Sequence, residues 1–147
     1  MKGNIYTVKT AQNFKVTTPV LWKAITEVQQ MKKWFFPDIP AFTPEVGFKT
    51  GFMVDAGERK FLHLWEIIEV KQKKKIVYSW SYDGYKGKAH VTFTLEDITE
   101  GSRLTLTHKI IEAFTDDIPE FTIESCKNGW TYFINTSLKN YLTPAGK

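Results

Sequence analysis

The sequence predicts an α+β fold in which a curved antiparallel sheet of about six strands wraps around one long C-terminal helix, with two short helices after the first strand. Three observations carry that expectation. Several consecutive short segments alternate apolar with polar residues and are separated by turn-forming residues, the pattern of antiparallel strands with one dry face. A proline-free stretch ending at Leu142 places its apolar residues at helical spacing. Aromatic residues make up 15% of the chain, with five Trp and eleven Phe among 147 residues, so the fold must house unusually many large flat rings.

Taken in order, residues 5–16 carry Tyr6, Val8, Phe14 and Val16 at even positions and read as a strand. Thr17-Thr18-Pro19 then signals a helix start, because a hydroxyl can cap free amides and proline suits the first turn. Val20, Leu21, Ala24, Ile25 and Val28 follow at helical spacing, and the helix runs to about Lys33 with a break near Thr26-Glu27. Trp34 to Pro44 holds three prolines and four aromatics and reads as a loop that must lie against the core or a pocket rim. Residues 46–54 are extended, and Asp55-Ala56-Gly57-Glu58 is a turn.

Three strands at about 60–70, 75–82 and 88–97 are separated by the tip Lys71–Lys75 and by Asp83-Gly84-Tyr85-Lys86-Gly87, and a last strand at about 102–111 follows Thr99-Glu100-Gly101. Short connections require antiparallel pairing. Ile76, Tyr78, Trp80 and Tyr82, then Ala89, Val91, Phe93 and Leu95, then Leu104, Leu106, His108 and Ile110 form the dry face; Lys88, His90, Thr92, Arg103, Thr105 and Lys109 are among those on the wet one. After Thr115-Asp116-Asp117 and Pro119, the residues Phe121, Cys126, Trp130, Phe133, Ile134, Leu138, Tyr141 and Leu142 mark a long amphipathic helix that ends at Thr143-Pro144-Ala145-Gly146.

Length, charge and composition narrow the function. A chain of 147 residues suits one domain, 1–147, and no run is long and apolar enough to span a membrane. The opening Met1–Tyr6 has no secretory h-region and the single cysteine, Cys126, cannot form an internal disulfide, both pointing to the cytoplasm. The net charge of +4 is modest, and the most concentrated basic run, Lys71–Lys75, falls in a hairpin tip without aromatics interleaved along a face, which argues against nucleic acid as a partner.

The ordered set Phe14-Lys15-Val16, Pro19-Val20-Leu21-Trp22-Lys23-Ala24-Ile25-Thr26, Trp34, Gly47-Phe48, Trp65-Glu66-Ile67-Ile68-Glu69-Val70, Ile76-Val77-Tyr78-Ser79-Trp80, Gly129-Trp130, Leu138 and Tyr141-Leu142 resembles the family named for the activator of heat shock protein 90 ATPase. That family sits in the START-like, or SRPBCC helix-grip, superfamily, and the resemblance spans about residues 10–142. It implies a cavity between the terminal helix and the sheet of the kind that superfamily members use for lipids, sterols, polyketides and other apolar molecules. The resemblance is to the C-terminal domain of the eukaryotic activator only; a heat-shock chaperone as partner, and a stress-response role, are what the family name implies.

The expected ligand is therefore a small apolar or amphipathic molecule, bound without metal or other cofactor. The candidate cavity residues are Trp34, Phe36, Phe52, Trp65, Tyr78, Trp80, Phe93, His108, Trp130 and Phe133, of which His108, with Tyr78, could orient a polar end. The alternative is that the same rings pack into a filled core. Trp34, Phe35 and Phe36 read either as a lid or as a plug at the end of the sheet. His63, His90 and His108 show no metal-ligand spacing, and Cys126 reads as a small buried hydrophobe. Glu66, Glu69, Asp97, Glu112 and Glu124 form no recognisable catalytic pair or triad, so the reading favours a binder, with a chaperone-regulating module and a polyketide cyclase-like enzyme as alternatives. Exposed strand edges also allow a homodimer.

Overall fold

Alternation of side chains builds one antiparallel sheet from strands β1 (Thr7–Phe14), β2 (Lys49–Asp55), β3 (Lys60–Lys71), β4 (Lys75–Tyr82), β5 (Lys88–Ile98) and β6 (Gly101–Glu112). Their spatial order is β1-β6-β5-β4-β3-β2. This computed structural model describes residues 6–55, 60–114, 118 and 121–143. Strands β3 to β6 lie within one residue of the expected limits at each end. The second expected strand begins later, at Lys49, because Gly47 adopts a left-handed φ of 93° that ends extended backbone. The expected turn residues 56–58, the segment 115–117, Pro119 and residues 144–146 lie outside the described residues.

Only β1 requires a long-range partner, pairing with β6 through Val8↔His108 and Phe14↔Ser102; β2 through β6 are joined in succession. Register shifts between Ile67 and Glu69 and between Lys88 and Ala89 mark bulges, which add the local twist that a curved sheet needs. The β5–β6 hairpin closes on Gly101, φ 151°, where a Cβ would lie 2.0 Å from the Phe14 carbonyl oxygen. Only glycine fits there.

The two short helices are α1 (Thr18–Thr26) and α2 (Val28–Trp34), interrupted at Glu27, whose ψ of 123° is extended. The helix start is as expected, but no threonine hydroxyl caps it: Thr18 Oγ1 instead donates to the Asp97 carboxylate on β5. Trp34, expected in the loop, is the last residue of α2, and its indole donates to the Ala24 carbonyl at 2.7 Å.

The C-terminal helix comprises α3 (Ile123–Trp130), a π-helical segment (Thr131–Leu138) and α4 (Lys139–Leu142), with helical backbone at both junctions. Thr122 caps it by accepting from the Ser125 amide at 3.2 Å. Asn135 ties it to β1: its amide donates to the Ala11 carbonyl at 2.9 Å and its carbonyl accepts from Thr10 at 2.7 Å. Ser137 Oγ donates to the Trp34 carbonyl at 2.6 Å, which holds the end of α2 against the helix. The helix thus covers the dry face, and one contiguous apolar cluster lies between them.

Candidate functional site

Two parts of this interior differ. Around Phe35 it is solid: the Phe35 ring stacks on Trp34 at 4.6 Å between centroids and lies 5.5 Å from Trp65, 6.5 Å from Phe93 and 5.7 Å from Trp130. Trp34, Phe52, Trp65, Tyr78 and Phe93 belong to this packed part and do not line the cavity beneath the C-terminal helix. Within it, Trp65 Nε1 and Tyr78 Oη find no hydrogen-bond partner among the described residues. Such a buried orphan costs about 1–3 kcal/mol.

The other part is open. A cavity of about 190 Å³ lies under α3, walled by Phe61 and His63 of β3, Trp80 and Tyr82 of β4, His108 of β6, and Phe114 and Phe121 beyond β6. Tyr6, Val54 and Phe36 complete the sides, and Ser125, Cys126, Gly129, Trp130 and Phe133 form the roof. The roof follows from helical spacing, because positions 125/126, 129/130 and 133 share one face. Gly129 leaves that face bare: a Cβ built there would meet nothing within 4 Å.

Of the ten candidate residues, Phe36, Trp80, His108, Trp130 and Phe133 meet at this cavity. His63, Tyr82 and Gly129 were absent from the candidates. Alternation along β3 carries the signal for His63, since Phe61, His63, Trp65 and Ile67 share the inward face. Phe114 lies beyond β6, where periodicity has no purchase, and Phe121, which its spacing assigns to the terminal helix, precedes that helix, whose first residue is Ile123.

The polar groups of the cavity are few and their roles are defined. Trp130 Nε1 donates to His108 Nδ1 at 2.9 Å, so Nδ1 is unprotonated and the neutral ring carries its proton on Nε2. His63 is the opposite tautomer, because its Nδ1 faces the Phe61 carbonyl at 3.2 Å and a carbonyl can only accept. Burial holds both imidazoles down to about 4, so both are neutral near pH 7. Tyr82 Oη accepts from Trp80 Nε1 at 2.8 Å, which leaves its own hydroxyl proton available. Burial raises the Tyr82 phenol and pushes the Cys126 thiol up to about 12. A thiol held in that state is a poor nucleophile.

Among the described residues, no Asp, Glu, Lys or Arg lines the cavity, and no three His, Cys, Asp or Glu side chains cluster as a metal site. No helix is long and apolar enough to cross a membrane. The site can therefore enclose a small apolar body and offer it a few neutral hydrogen-bonding groups.

The fold recurs in solved structures. A protein of the dynemicin biosynthetic locus is 21% identical with a TM-score of 0.74 over 92% of this chain, although the chain spans only 46% of that protein. Mll3558 from Rhizobium loti gives a TM-score of 0.80 at 15% identity, covering 97% of this chain and all of that one. The Aha1 dimer from Colwellia psychrerythraea gives 0.74 at 20% identity, again covering 97% and 100%. At such identities these likenesses establish the fold. None of the curated proteins gives a significant sequence match. The family model described as activator of Hsp90 ATPase homolog 1-like protein matches residues 15–143, and the chain belongs to that family.

Proposed function

We propose that this protein binds a small, mainly apolar molecule in the cavity beneath α3. The observation that carries the reading is the cavity of about 190 Å³ left open beside an otherwise close-packed aromatic core, with Gly129 bare in its roof. Packed interiors seldom leave spaces larger than a water molecule, and an apolar cavity of roughly 150 Å³ is enough to hold benzene. The volume suits a one- or two-ring compound better than a sterol or a long acyl chain.

The two inward histidines favour a second reading, a cyclase-like enzyme working on a polyketide-like substrate, and one structural neighbour comes from a biosynthetic locus. Acid–base strength weighs against it. A general base works best with a pKa near the operating pH, whereas burial holds both imidazoles down to about 4.

Native mass spectrometry before and after denaturation tests the binding function, with Gly129→Leu as the control. The expected result is a small molecule of defined mass released from the wild type and absent from the variant, whose side chain fills the cavity. A wild-type protein that is free of ligand, and whose melting temperature is unmoved by a panel of one- and two-ring aromatics and lipids, would overturn the proposal.

A further inference from the structure

The two histidines that line the cavity are opposite tautomers. In His108 the proton sits on Nε2, because the Trp130 indole, which can only donate, occupies Nδ1 at 2.9 Å. In His63 the lone pair sits on Nε2, because Nδ1 faces the Phe61 carbonyl at 3.2 Å. One ring therefore presents a donor and the other an acceptor. Both rings neighbour Trp80, with centroid distances of 5.5 Å for His63 and 6.1 Å for His108. Among the described residues no protein hydrogen bond is made by Nε2 of either ring.

Charge selects further. Among the described residues, the titratable groups that line the cavity from β3, β4, β6, α3 and the residues before β1 are His63, Tyr82, His108, Cys126 and Tyr6. All are neutral near pH 7, and burial raises the Tyr6 and Tyr82 phenols and the Cys126 thiol. An anion entering here would lose its hydration and meet no cation among the described residues, a cost that one neutral donor does not offset. A purely apolar ligand that displaced water from the cavity would leave the two imidazole nitrogens unpaired.

We propose that the cavity selects an uncharged ring compound bearing both a hydrogen-bond acceptor and a hydrogen-bond donor, read by His108 Nε2–H and His63 Nε2 respectively. The inference rests on the binding function proposed above and narrows its ligand class to neutral aromatic amides and comparably substituted rings.

Three probes of similar size separate the possibilities by isothermal titration at pH 7: benzamide, which is neutral with donor and acceptor; benzoate, which is anionic; and isopropylbenzene, which is apolar. Benzamide binds tightest, and His63→Phe and His108→Phe each weaken it by about five- to ten-fold while leaving isopropylbenzene unchanged or improved. Equal binding of isopropylbenzene and benzamide, with no effect of either substitution, overturns this inference and leaves the apolar binding function standing. Benzoate binding as tightly as benzamide also overturns it. Binding of none of the three also overturns this inference, and the binding function then stands or falls according to whether native mass spectrometry of the wild type releases a small molecule. Long-range ¹H–¹⁵N correlation of the wild-type imidazoles supplies a check independent of any variant: His63 should appear as the Nδ1–H tautomer and His108 as Nε2–H, and a reversal of either ring contradicts the assignment.

Discussion

His63 and His108 illustrate how burial sets the behaviour of single residues. Each sits on the inward face of its strand, and loss of water disfavours the charged ring, lowering its pKa from about 6.5 to about 4. The unfolded chain binds protons near pH 6.5, whereas the folded chain resists them until about pH 4. Between those values the unfolded state holds more protons, so stability falls as pH falls, and the loss is complete below the folded pKa. The expected loss is about 2 kcal/mol per histidine from pH 7 to pH 5. Urea denaturation of the wild type and of the His63→Phe/His108→Phe double variant across this range checks the sign, because the variant should give the flatter profile. A wild-type profile as flat as the variant's would mean that the imidazoles are already solvated. Of these two rings, alternation in the last strand placed His108 inward from sequence, but whether it would be satisfied by protein depended on Trp130, 22 residues away in the chain.

At the scale of elements, backbone geometry decides where the sheet ends and turns. Gly101 joins β5 to β6 and also abuts β1, because its missing side chain is what lets the Phe14 carbonyl approach. Gly101→Ala combines a disfavoured φ with a steric overlap that backbone must move to relieve, and the expected destabilisation is about 3 kcal/mol or more. Thermal denaturation measures it; a change below about 1 kcal/mol would show that β1 yields easily. The turn before β6 was legible as Thr99-Glu100-Gly101, yet the reason for its glycine was not, since the contact with Phe14 spans most of the chain. The same limit applies to the C-terminal helix. Its apolar spacing announced a helix, but a π-helical stretch from Thr131 to Leu138 widens the turn without changing which residue types are present.

At the scale of the whole molecule, Phe35 determines how much of the interior is open. Its ring occupies the middle of the aromatic core, within 6.5 Å of Trp65, Trp80, Phe93, Trp130 and Phe133, and three of these, Trp80, Trp130 and Phe133, line the cavity. Phe35→Ala should cost about 3–5 kcal/mol and extend the cavity toward Trp65 and Tyr78. If the core does not collapse, the variant should bind two-ring aromatics that the wild type excludes, read by titration and by quenching of tryptophan fluorescence. A destabilised variant with unchanged ligand size would show that the neighbouring rings close over the gap. Of the lid and plug readings of the Trp34–Phe36 segment, Phe35 fits the plug, while the adjacent Phe36 joins the cavity wall.

The strands, their dry and wet faces, the broken helix pair and the terminal helix were all determined by sequence alone, because side-chain period and turn chemistry are local properties. The division of the dry face into filled core and cavity was decided only in three dimensions. Tyr78 and Tyr82 share one face of β4, yet Tyr78 lies wholly buried in the packed part and Tyr82 lines the open part. What separates them is the volume that distant residues supply: Phe42 against Tyr78 on one side, and on the other a roof left bare at Gly129 over the cavity that Tyr82 lines. Periodicity records which way a residue points, whereas packing density depends on what comes to meet it.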